Sequence, residues 1–194
     1  MLKVGITGGI GAGKSIVCQV WKCLGIPVIN ADEVASIVMN TQPDVKQQLI
    51  ALLGQAAYDN GLPNRAYIRG KIFADAQLLA SMNAIVHPAV KAYSAAWWQQ
   101  QSTPYALKES ALLFETGAHK QLDLIICVYT PLAMRIDNVK QRSRLTDSEI
   151  NAIIAKQIDD NLKMAQSDYI IDNSGTKSVI AQVLDVHQQI VERL

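Results

Sequence analysis

Residues Gly8-Gly9-Ile10-Gly11-Ala12-Gly13-Lys14-Ser15 match G-x-x-x-x-G-K-[ST], directly after the apolar run Leu2–Thr7 and at the start of a helical pattern. Glycines let the backbone turn with positive φ and approach an anion without a Cβ clash. Successive N–H groups then form a concavity for phosphate, reinforced by the positive end of the following helix. In this reading Lys14 spans the β- and γ-phosphates of a nucleoside triphosphate and the Ser15 hydroxyl ligates Mg²⁺. A chance glycine-rich turn is the competing account, and the strand–loop–helix context argues against it. A dinucleotide-binding G-x-G-x-x-G also overlaps at Gly9, Gly11 and Lys14, but lysine at its third position suits a triphosphate better.

The rest of the chain supplies the scaffold. Five short apolar runs, Leu2–Thr7, Pro27–Asn30, Ala106–Phe114, Leu124–Thr130 and Tyr169–Asp172, are separated by helical patterns. The last two show little alternation, as parallel strands covered on both faces do. The fold class is therefore α/β, a P-loop-type doubly wound sheet of about five parallel strands. Ligands of such sheets bind outside the carboxyl ends of the strands. Val17, Val20, Trp21 and Leu24 repeat at helical spacing, Gly25 suits a left-handed cap and Pro27 stops the helix.

Two stretches break the alternation. The segment 31–101 is too long for one crossover and reads as several helices punctuated by Pro43, Gly54, Asp59-Asn60-Gly61-Leu62-Pro63 and Pro88. The segment 134–166 is a second helical insert, basic at its start, where Arg135, Lys140, Arg142 and Arg144 face one acid, Asp137.

With 49% hydrophobic residues and a formal net charge of +1, the chain has material for a sizeable core and no basic excess to attract nucleic acid. No apolar stretch approaches the ~20 residues that span a bilayer, and no leader precedes the first strand pattern. Cys18, Cys23 and Cys127 form no metal spacing and read as reduced core thiols, so the expected location is cytoplasmic.

A bound triphosphate does not distinguish a switch, a motor and a small-molecule kinase. The guanine-reading N-K-x-D string is missing, and Asp172-Asn173-Ser174-Gly175 satisfies D-x-x-G too late in the chain to meet a γ-phosphate. Asp32, just past the second apolar run, is read either as a general base for an acceptor hydroxyl or as the N-cap of the helix containing Val34, Ile37 and Val38. The basic insert is read as a lid that neutralises transferred charge, with a solvated helix face as the alternative.

The segment Gly5–Ser15 resembles the phosphate loop of dephospho-CoA kinases. So do the Asn30-Ala31-Asp32 turn, the Val86-His87-Pro88 step, Leu112-Leu113-Phe114-Glu115, and Ser167-Asp168-Tyr169-Ile170-Ile171-Asp172-Asn173-Ser174-Gly175. The loop is shared by many families; the His-Pro step and Leu-Leu-Phe-Glu are far more specific. The resemblance implies ATP-dependent phosphorylation of the ribose 3′-hydroxyl of dephospho-CoA, with Mg²⁺. It implies a nucleotide-binding core at 1–30, 102–133 and 167–194, a helical CoA-binding lobe at 31–101 and a lid at 134–166.

The resemblance also implies roles. Asp32 is the general base, assisted by Lys14 and Arg142. ATP meets Gly9, Gly11, Ala12, Gly13, Lys14, Ser15, Ile16, Arg142 and Asn173. Dephospho-CoA meets Asp32, Arg65, His87, Leu113 and Glu115, and Lys163 falls on a later basic position. His87, before Pro88 at an expected helix boundary, is also read as a packing or capping residue, and Glu115 as a cap of the following segment or a partner of Mg²⁺ through water. Of Trp97 and Trp98, one is expected in the core and the other at the surface or on substrate. No nucleic acid, membrane or obligatory protein partner is expected.

Several residues depart from the family pattern. Asn30 replaces an acid, Asn64 replaces an acid, Ile16 stands where threonine is commoner, and Asn138 and Ile153 replace lid arginines, which shifts charge neutralisation toward Arg142 or Arg135. A nucleoside or nucleotide kinase on the same scaffold is the alternative acceptor assignment, decided by the 31–101 lobe.

Overall fold

The computed structural model describes residues 1–143 and 145–194; Arg144, the fourth basic residue of the expected lid, lies outside them. In chain order the elements are β1 (Leu2–Thr7), α1 (Lys14–Cys23), β2 (Val28–Asn30), α2 (Ala31–Thr41), α3 (Pro43–Leu53), β3 (Tyr58–Asp59) and β4 (Leu62–Pro63). Then come α4 (Arg65–Ala74), α5 (Ala76–Gln99), β5 (Tyr105–Glu109), β6 (Leu124–Tyr129), α6 (Leu132–Arg142), α7 (Asp147–Ile154), α8 (Asp160–Ala165), β7 (Tyr169–Asp172) and α9 (Val179–Val191). They form two compact units, Met1–Ile29 with Gln101–Leu194, and Asn30–Gln100. No helix among the described residues is long and apolar enough to cross a membrane.

The first unit is built on the five-stranded parallel sheet, in the order β2-β5-β1-β6-β7. In β1, Val4 pairs with Leu107 on one side and Leu124 on the other, and Ile6 with Glu109 and Ile126. Leu124 to Val128 are all buried, which explains why β6 carries no alternation: helices cover both of its faces. Val17, Cys18 and Trp21 of α1 and Val183, Val186 and Ile190 of α9 enter the same core, each set spaced to one helix face. The end of α1 follows the expectation: Ile26 N donates to Trp21 O at 3.1 Å while Gly25 takes φ 76°, a left-handed stop that satisfies the last carbonyls. Two buried aromatics are tied by polar tips, Trp21 Nε1 donating to Tyr105 Oη at 2.9 Å and Tyr105 Oη facing His187 Nδ1 at 2.5 Å.

The third strand is shorter than its apolar run. The ladder closes with Ser110 N donating to Ile6 O, and Leu112–Glu115 form turns in which Thr116 N reaches Leu112 O. A short apolar run satisfies a buried turn as well as a strand. Helices α6, α7 and α8, which carry the segment expected as a lid, fall within this same unit.

In the second unit α2, α3 and α4 each pack on α5, burying Val34, Val38, Leu49, Ile68, Val86 and Trp98. The 24-residue α5 runs straight through His87-Pro88, correcting the boundary expected there. Pro88 removes the hydrogen bond to the Ala84 carbonyl, but both residues are exposed, so water takes that carbonyl at little cost. The Asp59-Asn60-Gly61-Leu62 stretch is a hairpin rather than a plain break. Asn60 and Gly61 have φ 48° and 85°, the positive pair that a tight turn between β3 and β4 requires.

Candidate active site

The phosphate loop is positioned through its carbonyls. Lys14 Nζ donates to Gly8 O at 3.0 Å and Gly9 O at 3.3 Å, and Asn138 Nδ2 donates to Gly11 O at 2.9 Å. Thr130 Oγ1 and Asn173 Nδ2 both donate to Ala12 O, at 2.9 and 3.0 Å. Ile16 N and Val17 N take Gly13 O, at 3.0 and 3.2 Å. In a planar trans peptide the N–H points opposite its C=O. Pinning the Ala12 and Gly13 carbonyls to one side therefore turns the Gly13 and Lys14 amides to the other. Helix α1 has Gly13 as its N-cap and no side-chain cap bond, so its first-turn amides are the donors an anion would meet.

Glycine is required where the loop is approached most closely. A Cβ at Gly9 would fall 1.2 Å from Arg135 Nη1, and one at Gly11 2.3 Å from the Arg135 carbonyl, where φ is also +80°.

The charges around the loop are distributed by burial. Arg135, 4% exposed, is engaged by Asp160 through two contacts of 3.1 and 3.0 Å. It is thus a buried component of the loop's packing rather than an exposed lid arginine. Arg142 lies exposed in the last turn of α6, while Lys140 pairs with Asp147 at 2.8 Å. Lys163 is fully buried, its ammonium 3.3 Å from Glu115 Oε1, which also accepts from Ile158 N at 2.9 Å. Burial pushes the Cys18 thiol up to about 12, with the neighbouring Glu109 carboxylate acting in the same direction. Burial likewise pushes Cys127 to about 11. Both thiols stay protonated at neutral pH and act as apolar packing. Cys23 is exposed, contrary to the expectation of a core thiol, because it sits on the outer face at the end of α1.

Each remaining site residue has a definite place. Ser15 and Ile16 are exposed on the first turn of α1. Asn173 stands just past β7, where its amide holds the loop and its own N–H reaches Tyr129 O at 2.8 Å. Asp172, from the D-x-x-G match, closes a local turn. Hydrogen bonds from Ser174, joined by Thr176, hold its carboxyl below the usual value. Leu113 has no exposed surface and packs toward Gly5, so a substrate contact by its side chain is replaced by core packing. Beside it Leu112 is exposed.

In the second unit the helix cap is Asn30, not Asp32: its Oδ1 accepts from Asp32 N at 2.8 Å and Glu33 N at 3.1 Å. The acid-to-Asn departure is thus an N-cap of equal quality. Asp32 is exposed in the first turn of α2, and its carboxylate makes no hydrogen bond or ion pair among the described residues. Ser36 lies one turn further on the same face, and it receives a hydrogen bond from Arg65 Nη2. The fold thereby brings Arg65 to the face that carries Asp32. Asn64, the other acid-to-Asn departure, caps α4 through Tyr67 N at 3.1 Å. His87 is exposed on α5; Trp98 is buried and Trp97 half-buried against its edge.

Four residues of the loop's surroundings were not singled out from sequence. Thr130 and Gln157 bond the loop directly, and Asn138 entered only as a missing arginine. Glu109 is a buried carboxylate at the carboxyl end of β5, opposite Ile6 and hence beside the entry to the loop. An acid closing the strand next to the loop strand is the signal that could have marked Glu109.

The dephospho-CoA kinase family model matches residues 2–178 of the chain. A dephospho-CoA kinase from Bacteroides fragilis (strain YCH46) is 32% identical over 186 residues, 95% of this chain and 91% of that protein. A crystal structure from Thermus thermophilus superposes with a TM-score of 0.86 at 27% identity, covering 97% of this chain and 96% of that one. A Campylobacter jejuni dephospho-CoA kinase superposes with a TM-score of 0.73 at 22% identity, with 98% of each chain covered, a likeness of fold.

Proposed function

The chain belongs to the dephospho-CoA kinase family, and on that premise we propose that it transfers the γ-phosphoryl group of ATP to the ribose 3′-hydroxyl of dephospho-CoA, giving CoA and ADP. The family match over residues 2–178 carries the choice of acceptor. The carbonyl-pinned loop supports ATP as donor, since it turns backbone N–H groups toward one side and sets a lysine at the loop's mouth.

In this reading the backbone of Gly9 and Gly11 to Ser15, with Ile16, receives the triphosphate. Lys14 exchanges its two loop carbonyls for the β- and γ-oxygens, so the ammonium is never left without oxygen partners. Asp32 accepts the proton of the attacking hydroxyl, and Arg65, held at Ser36 on the same helix face, binds an anionic group of the acceptor. Arg142 meets the donor phosphates. His87 and Glu115 are assigned to the acceptor, Glu115 while also holding Lys163 and Ile158 N.

Mg²⁺ fits this loop, because the exposed Ser15 hydroxyl and the buried Glu109 carboxylate are hard oxygen donors of the kind it takes directly or through water. When bound, the ion would neutralise charge on the β- and γ-phosphates. We place the enzyme in the cytoplasm and assign it no nucleic acid or membrane partner.

The test is to supply ATP–Mg²⁺ with dephospho-CoA, and separately with a panel of nucleosides and nucleotides, and to follow ADP and phosphorylated product. CoA formation is expected. Turnover on a nucleoside with none on dephospho-CoA would overturn the assignment.

A further inference from the structure

One short segment holds the phosphate loop from above. The connection between α7 and α8, residues 155–159, together with Asp160, the first residue of α8, is anchored at three points. Gln157 Oε1 accepts from Ile10 N, inside the loop, at 3.0 Å. Ile158 N donates to Glu115 Oε1, the oxygen that also faces the buried Lys163 ammonium. Asp160 grips Arg135, whose Nη1 occupies the space a side chain at Gly9 would need. Two of the three anchors thus end on consecutive loop residues, Gly9 and Ile10. The third fixes the segment to the interior through a pair that cannot be broken without stranding a buried charge. The same residues, with Leu132 and Ile154, line a cavity of about 300 Å³.

We infer that Gln157 is a positioning residue for the nucleotide: it fixes the orientation of the first half of the loop by holding the Ile10 amide. Ile10 N–H points to Gln157, so it is not a phosphate donor, and its capture sets the peptide plane from which Gly11 and the inward-facing amides follow. A neutral acceptor is what this place demands. A carboxylate would hold the same N–H but repel the triphosphate, and an aliphatic chain would hold nothing. The inference rests on the proposed function and deepens it at the donor site.

Gln157→Met keeps the length and removes the acceptor. The expected result is a ~3–10-fold weaker affinity for a non-hydrolysable ATP analogue, the span of one neutral hydrogen bond. Faster exchange of the Ile10 amide should accompany it, with KM for dephospho-CoA unchanged within about 2-fold. A merely structural role would lower the melting temperature and move both substrates together; that outcome, or wild-type analogue affinity, overturns the inference alone. If Gln157→Met does not fold, Gln157→Asn, one methylene too short to reach, carries the same expectation. Failure of the wild-type protein to bind the analogue overturns the functional reading, and the inference with it.

Discussion

The phosphate loop and the Asp32 turn both follow the carboxyl end of a strand, but they are held in opposite ways. In the loop the groups proposed to meet phosphate are backbone amides, and side chains from four distant places (Thr130, Asn138, Gln157 and Asn173) are spent on fixing the main chain. In the turn the group we propose as the base, the Asp32 carboxylate, is a side chain. The backbone is fixed locally by Asn30, and the Asp32 carboxylate is left in solvent. The reason is chemical. A developing charge spread over phosphate oxygens is best met by preorganised dipoles, which lose their value if they reorient. A general base must reach a hydroxyl that arrives with the acceptor, so its reach matters more than its burial.

The contrast makes distinct demands on variants. The largest effect is expected at the exposed turn: Asp32→Asn should lower kcat by ~10²–10⁴-fold while ATP affinity stays near wild type. Measuring kcat beside equilibrium ATP binding decides it, and a near-normal rate would return Asp32 to the role of a helix-dipole partner in the first turn of α2.

Next comes Lys14→Met, where loss of one preorganised donor should reduce turnover by ~10²–10³-fold. Here ATP binding should weaken as well, and a variant that keeps wild-type affinity would show that loop amides alone carry binding.

The smallest effect lies beneath the loop, in the pH dependence of stability. The Cys18 thiol is raised from 9.0 to about 12 in the folded state, so the folded chain keeps a proton that the unfolded chain releases. Stability from this group is therefore complete below about pH 9 and is lost progressively as pH rises toward 12. Unfolding curves between these values should fall with pH, and Cys18→Ala should flatten that slope; an unchanged slope would assign the alkaline loss elsewhere.

Much of this was legible without coordinates, and the limits have particular causes. The strand–loop–helix unit at Leu2–Cys23 and its Gly25 stop rest on glycine chemistry and helical spacing, which act between near neighbours. The apolar run through Phe114 misled because a buried turn and a strand share the same composition. His87-Pro88 misled because proline's local preference yielded to a 24-residue helix whose broken hydrogen bond faces water. Asn138, read as an arginine missing from a lid, is a carbonyl clamp on Gly11. Asn30 and Asn64, read as lost acids, are helix caps.

By itself the sequence determined the triphosphate loop, the parallel α/β class and the acidic turn at Asp32, since backbone freedom, side-chain period and strand-end position are properties of short stretches. Only the tertiary structure decided what holds the loop. Its clamps lie 118, 127, 147 and 161 residues away, at Thr130, Asn138, Gln157 and Asn173. An amide side chain gives no sign in one dimension of which carbonyl or N–H it will meet, because that choice is made when α6, the α7–α8 connection and the end of β7 fold back over the carboxyl end of β1.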